Sequence, residues 1–457
     1  MDKEIYLSFI IQVVSLLVVY FIISRHIKLP LIIKILTLIA YITNPIAKIF
    51  SGVASLLYLS DLLFIFLFLY ILLRPVIFKR FYNNLFFRLL FIFLIVIPLV
   101  NSFILIIIGK YNLEGREILG FVIWFFRNIN MLITLGIGIW AGLNAERIKD
   151  FIKINIIFGL LLGCLGLINY FGSPINMSTF EELLSQADNQ EWQLNTRLTL
   201  GFLGLFRSSV GQWFAIIALL SLGTYGIWKS WFSYIQIITI IISIIIVFLS
   251  GSRAGMIGLM IGILIFMILQ RRKFLIIVPI FFSIILLCYI FFNTQYELSY
   301  LWTRYRIFEN EDVSKELRLK GLQKGVVYLL NNIDTLFLGV GATNMAKVYE
   351  ISGMYGLHNE YFGFIYRAGL LGFILLIIFE GFILKTFINL RINVDKNILL
   401  IINTIIIITI VNMIIALSQS FLIHDHATYT LNYYIYLLYG VFIGTRWISP
   451  NENKTYK

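Results

Sequence analysis

Apolar residues run through this chain in long blocks, and the polar stretches between them are short and mostly basic, with one exception. Hydrocarbon thickness calls for roughly 20 apolar residues per helical crossing. Runs of that kind predict spans near 5–24, 29–44, 53–73, 85–108, 117–142 and 151–171, then near 209–227, 231–249, 254–270, 274–292, 361–385, 397–418 and 430–446. The expected fold is therefore an all-α polytopic membrane protein of about thirteen transmembrane helices, between twelve and fourteen. The range reflects the run from Leu29, broken by Lys34 and Pro45, and the Tyr-rich last run.

The exception is 293–360, which divides the chain into an N-terminal transmembrane bundle (1–292), an extracytoplasmic loop (293–360) and C-terminal transmembrane helices (361–457). Connections of this length are uncommon unless functional or disordered, so the loop reads as a folded cap carrying an active site. Within it, 314–330 predicts an amphipathic helix with Leu319, Leu322, Val326 and Leu329 on one face, stopped at Asn331-Asn332. A glycine turn over 337–344 follows, and a short helix from Asn344 to Tyr349.

Basic clusters fall at alternate gaps: Arg25/Lys28, Arg74/Lys79/Arg80, Arg147/Lys149/Lys153, Lys229, Arg271-Arg272-Lys273, Lys385/Arg391/Lys396 and Arg446/Lys454/Lys457. The positive-inside rule makes that side cytoplasmic. The loop 172–208, the turn 250–253, the loop 293–360 and His424-Asp425-His426 then share the outer face.

Of 457 residues, 60% are hydrophobic and 13% charged, which excludes a soluble globular or disordered chain. A net charge of +13 would suggest nucleic acid for a soluble protein; here the charge lies in clusters flanking spans, so membrane lipid is the expected partner and nucleic acid is not. Cys164 and Cys288 both lie inside apolar runs and are read as packing residues, with no disulfide framework. The first run is followed by Arg25-His26-Ile27-Lys28 without a small-x-small cleavage site, which predicts a retained span.

Few polar residues carry chemical interest. Arg253 heads a span and is flanked by Gly251, Ser252, Ala254 and Gly255, so little crowds a ligand brought against its planar fork of donors. An interfacial arginine that snorkels to water is the alternative reading. His358 precedes Asn359, a candidate N-cap for a helix starting at Glu360. Beside the positive end of that helix the imidazole would stay neutral and serve as a general base; a loop histidine bonded to a backbone carbonyl is the alternative.

Arg318 and Arg207 are further outer cations, each equally readable as a solvated charge. Arg127 sits inside a span, followed by Asn128 and Asn130, and is expected to form a structural ion pair with Asp61 or Glu380. Ser252, Asn359 and Arg127 are secondary candidates for substrate contact. Gly339-Val340-Gly341 resembles part of a phosphate loop but lacks the following Gly-Lys-Ser/Thr; a lipid-linked phosphate over its amides stays open. His424-Asp425-His426 lacks a third defined ligand and reads as a polar turn, so no metal site is expected.

The order of these features, Ser250-Gly251-Ser252-Arg253-Ala254-Gly255, then a long outer loop with Arg318 and Gly339-x-Gly341, then His358-Asn359-x-Tyr361 and Gly369-Leu370-Leu371-Gly372, resembles the O-antigen ligase and polymerase superfamily, chiefly over 200–390. The resemblance implies a GT-C-like, metal-independent, inverting glycosyltransferase without a cofactor. Its donor would be a glycan on undecaprenyl pyrophosphate at the outer face of the bacterial cytoplasmic membrane. It also implies roles: Arg253, with Arg318 and Arg207, for the pyrophosphate, and His358 for activating the acceptor hydroxyl.

A polymerase of O-antigen, capsule or a similar cell-envelope polysaccharide, working with a chain-length regulator, is the preferred form, because nothing marks a site for a lipopolysaccharide core. A ligase is the alternative, and a flippase or transporter is the reading from another class. Flippases and transporters commonly show internal repeats and broken helices around a midplane site, and no repeat is evident here.

Overall fold

A computed structural model describes 27–41, 85–109, 116–171, 207–228, 231–269, 313–341, 359–391, 395–417, 429–445 and scattered residues of 14–25. Every regular element among them is a helix. In chain order they are α1 (Leu31–Tyr41), α2 (Leu85–Phe91), a π-turn (Ile92–Val96) leading into α3 (Ile97–Ile107), α4 (Arg116–Gly142), α5 (Ala145–Phe171), α6 (Arg207–Gly223), α7 (Trp231–Leu249) and α8 (Arg253–Leu269). After these come α9 (Val313–Asn331), α10 (Ile333–Leu338), α11 (Glu360–Asn389), α12 (Lys396–Ala416) and α13 (Tyr429–Gly444). The predicted spans 53–73 and 274–292, and most of 5–24, lie outside the described residues.

Helix is what hydrocarbon demands of these sequences, because it alone satisfies every backbone donor and acceptor within one segment. Several of the polar side chains carried inside them are satisfied the same way. Thr404, Thr409, Thr224 and Asn155 each donate to the carbonyl four residues back, at 2.7–2.8 Å. Four stretches are long and apolar enough to cross a membrane: Ala145–Ile168, Trp231–Leu249, Tyr361–Asn389 and Lys396–Ala416.

One end of the bundle collects basic residues. The Lys28 backbone N–H donates to Asp150 Oδ2 (3.2 Å), and Lys153 pairs with Asp150 (3.4 Å) while standing 5.8 Å over the Trp228 ring. Two of the clusters expected on one side, at Lys28 and at Lys153, thus meet at one end.

Two departures from the expected spans matter. The span 85–108 contains a π-turn immediately ahead of Pro98, where the proline ring would clash with the preceding turn of a regular helix. Beyond it Asn101 and Ser102 are buried and Phe103 is exposed. The second departure is at α11. By length and apolarity it reads as one crossing, yet Gly369 inside it is non-helical (φ 69°, ψ −176°).

Tyr361 and Glu380, 19 residues apart and therefore about 28 Å apart along an unbroken helix, are hydrogen-bonded side chain to side chain. The chain doubles back at Gly369. Segment 360–368 is a short returning helix, and 370–389, about 20 residues and near 30 Å long, is the part that can span.

Candidate active site

The turn carrying Arg253 joins α7 to α8 in three residues. Ser250 Oγ donates to the Val247 carbonyl (2.8 Å), and Gly251, at φ +62°, closes α7 by donating its N–H to the Phe248 carbonyl (3.0 Å). That left-handed closing position is one that glycine fills without steric cost. Ser252 then caps α8, its Oγ accepting from Gly255 N–H (3.1 Å). The buried Ser252 hydroxyl, a secondary candidate for substrate contact, is therefore engaged in holding the helix start. Arg253 follows as the first residue of α8, half-buried beside buried Ser252 and Ala254.

Helix α6 reaches this turn because of two glycines. A methyl on Gly255 would sit 2.6 Å from Gly211 C, and one on Gly211 would overlap Ser252 Cβ. The first turns of α6 and α8, headed by Arg207 and Arg253, therefore lie side by side. An anion there would meet two helix N-termini as well as any cationic side chain. The Arg207 side chain lies outside the described residues.

The loop closure forms a second cluster. His358 lies outside the described residues; Asn359, next to it, does not. Asn359 caps α11 as expected, Oδ1 accepting from Phe362 N–H (3.1 Å), while its Nδ2 donates to the Leu417 carbonyl at the end of α12 (2.9 Å). The side-chain amide is thus engaged at both ends. Gly258, in the second turn of α8, packs on Ile415, where an added methyl would stand 2.7 Å from Ile415 Cδ1. The start of α8 and the start of α11 are therefore both fastened to the last turn of α12, at the same end of the bundle.

The loop helix appears where the periodicity predicts it: α9 runs to Asn331, with Leu329 buried and Leu322 and Val326 half-buried. Arg318 lies in its second turn, and its side chain is outside the described residues. Farther along α9, a methyl on Gly325 would overlap the Tyr366 hydroxyl, so α9 crosses the returning segment of α11 there. The short helix expected over 344–349 and the turn at His424-Asp425-His426 lie outside the described residues.

The glycine turn after α10 has another use than the phosphate cradle its pattern leaves open. Gly339 N–H donates to the Thr335 carbonyl (2.8 Å) and Val340 N–H to the Tyr366 carbonyl (2.6 Å), so both amides are occupied by the protein. A methyl on Gly369 would overlap the Phe337 carbonyl oxygen. Asn101 Nδ2 donates to the Ala368 carbonyl (2.9 Å) and lies 3.4 Å from that of Leu338. Carbonyls released by the helix break are thus taken up by α3 and by the turn, as a break inside an apolar stretch requires.

Sequence reasoning missed this corner and its polar tie. The Tyr361 hydroxyl contacts both Glu380 carboxyl oxygens (3.2 and 3.1 Å) and the Met413 carbonyl (3.2 Å). Glu380, a candidate partner for Arg127, also has the Tyr361 hydroxyl beside its carboxyl group. Asp61, the other candidate, lies outside the described residues. Arg127 is 1% exposed, next to fully buried Asn128 and Asn130. An acid inside an apolar run was the signal for Glu380, but nothing in the sequence indicated that a residue 19 positions earlier would meet it.

The family model described as O-antigen ligase matches residues 238–377, from α7 through the Arg253 turn, α8, α9 and α10 into the spanning part of α11. No curated protein matches the chain.

Proposed function

Starting from the chain's membership, carried by residues 238–377, in the O-antigen ligase and polymerase superfamily, we propose that this protein is a polysaccharide polymerase of the bacterial cytoplasmic membrane. It transfers a glycan from undecaprenyl pyrophosphate to a lipid-linked repeat unit on the outer face. The observation that supports this best is the attachment of the α8 start, bearing Arg253, and the α11 start, next to His358, to one turn of α12.

In this reading His358 takes the proton of the acceptor hydroxyl, whose oxygen attacks the anomeric carbon. The bond from that carbon to the phosphate oxygen breaks, and the pyrophosphate leaves with the electron pair on the opposite face, so the configuration inverts. Arg253, with Arg207 and Arg318, stabilises the charge gathering on the leaving group, work that elsewhere falls to a divalent metal. Loss of one such donor typically lowers the rate by about 10²–10³.

The matched family's description favours a second reading, a ligase that delivers the same donor to a terminal acceptor. A knockout separates the two. Loss of a polymerase leaves single repeat units on the final acceptor, and loss of a ligase leaves none.

Purified protein with lipid-linked oligosaccharide is expected to lengthen or transfer the glycan in excess chelator. His358→Ala is expected to abolish this at unchanged membrane abundance, and Arg253→Lys to impair it although charge is kept, because the bidentate fork is lost. Full turnover by His358→Ala would remove the base from the scheme.

A further inference from the structure

Helices α9 and α10 expose an apolar surface that no other element among the described residues covers. Val327 is 58% exposed, Leu330 66%, Ile333 66% and Phe337 54%. On the same side of α9, but nearer its start, the exposed residues are Lys320, Gln323 and Lys324. The surface is therefore graded along the helix axis, charged first and apolar afterwards. From Lys324 to Leu330 is about 9 Å along a helix, close to the roughly 5–10 Å to which interfacial helices sink their apolar faces.

Two further observations fix what this surface meets. The Phe337 backbone touches Gly369, and two residues on, Leu371 begins the exposed stripe Leu371, Ile374 and Ile378 on the spanning part of α11. The apolar surface of α10 thus runs directly into the exposed apolar stripe of a helix apolar enough to cross a membrane. Depth agrees with this. Asn101, which binds the Ala368 carbonyl beside the α10 end, lies about 9 Å before the end of α3, a helix whose last turns expose Phe103 and Ile107. Asn331, Asn332 and Asp334 are also exposed at the α9–α10 junction, which keeps the immersion shallow.

We propose that α9–α10 lies in the membrane interface, with Val327, Leu330, Ile333 and Phe337 among the acyl chains and Lys320 and Lys324 at the headgroup phosphates. The partner is the bilayer leaflet at this end of the bundle. The inference requires only that the chain resides in a membrane, and it stands whether or not the transfer chemistry above holds.

Nitroxide labels read this directly. Single cysteines would be introduced as Leu330→Cys, Ile333→Cys, Phe337→Cys and, as control, Gln323→Cys. The background is Cys164→Ser with Cys288→Ser, in the full chain, in vesicles of phosphatidylethanolamine with some phosphatidylglycerol. Oxygen concentrates in hydrocarbon and a nickel chelate stays in water. At 330, 333 and 337 collisions with oxygen are expected to exceed those with nickel severalfold, and at 323 the order should reverse. Nickel dominating at the three apolar sites would mean open solvent. Low accessibility to both reagents would mean cover by another part of the chain or by a second copy. Either result overturns the proposal, and three independent sites protect the test against one variant that fails to fold.

Discussion

The crossing of α4 with α13 and the corner at Gly369 both depend on glycines, but for different reasons. At the crossing, Gly138 and Gly142 face Gly440 and Gly444, so that two spacings of four bring the helices into backbone contact. A methyl on Gly142 would overlap the Val441 carbonyl oxygen, and one on Gly440 that of Leu135. All four glycines stay helical, and what they supply is the absence of volume. That suits a membrane, where lipid tails are as apolar as the helices and close packing must drive association.

At the corner Gly369 supplies a backbone shape as well. Its φ of 69° with extended ψ is a region essentially reserved to glycine, and the Phe337 backbone fills the space where a side chain would be. The first arrangement holds the bundle together, whereas the second determines where the closing end of the long loop is placed.

The contrast can be broken at either side. Gly369→Ala should have the largest effect: backbone strain of about 1–3 kcal/mol joined by overpacking of about 1–3 kcal/mol against a carbonyl that cannot yield. Little monodisperse protein should survive heating and size-exclusion chromatography in detergent. Parent-like survival would show that the break imposes no constraint.

Gly142→Ala should cost up to about 3 kcal/mol and lower the thermal midpoint, yet leave glycan transfer per folded molecule unchanged. A loss of specific activity there would erase the distinction between bundle and site.

Tyr361→Phe sharpens the comparison from the other direction. It removes the donor beside Glu380 and the Met413 carbonyl, worth about 1–3 kcal/mol, and its effect on glycan transfer should exceed its effect on stability, because the residue fixes the segment that leads out of His358. Equal proportional losses would make Tyr361 a structural residue only. Ser252→Ala should be mildest, about 1 kcal/mol for a lost helix cap, seen as a small fall in thermal midpoint and a reduced rate with unchanged acceptor KM.

Much of the local structure was readable in advance. The apolar runs marked the segments that become α5, α7 and α12, the periodicity of 314–330 marked α9, and Asn359 before Glu360 marked the helix cap. Ser250-Gly251-Ser252 was legible as a turn but not as a paired helix stop and helix cap, because only the hydrogen bonds assign those roles. The candidate site was legible in part. Arg253 was identified with its setting, and Asn359 with its function. The packing of α6 on that turn through Gly211 and Gly255 was not foreseen, since a glycine in an apolar run carries no mark of what will press against it.

By itself the sequence determined that these segments are helices and that they belong in a membrane, because hydrocarbon offers the backbone no other partner for its hydrogen bonds. Tertiary structure alone decided which helix is interrupted. Gly369 and Gly372 stand in the same apolar stretch, yet one breaks the helix and the other remains helical. The difference comes from Asn101 and Val340, far away in the chain, which receive the carbonyls that a break sets free. A break inside an apolar stretch is stable only where such partners already wait, and that is a property of the assembled bundle.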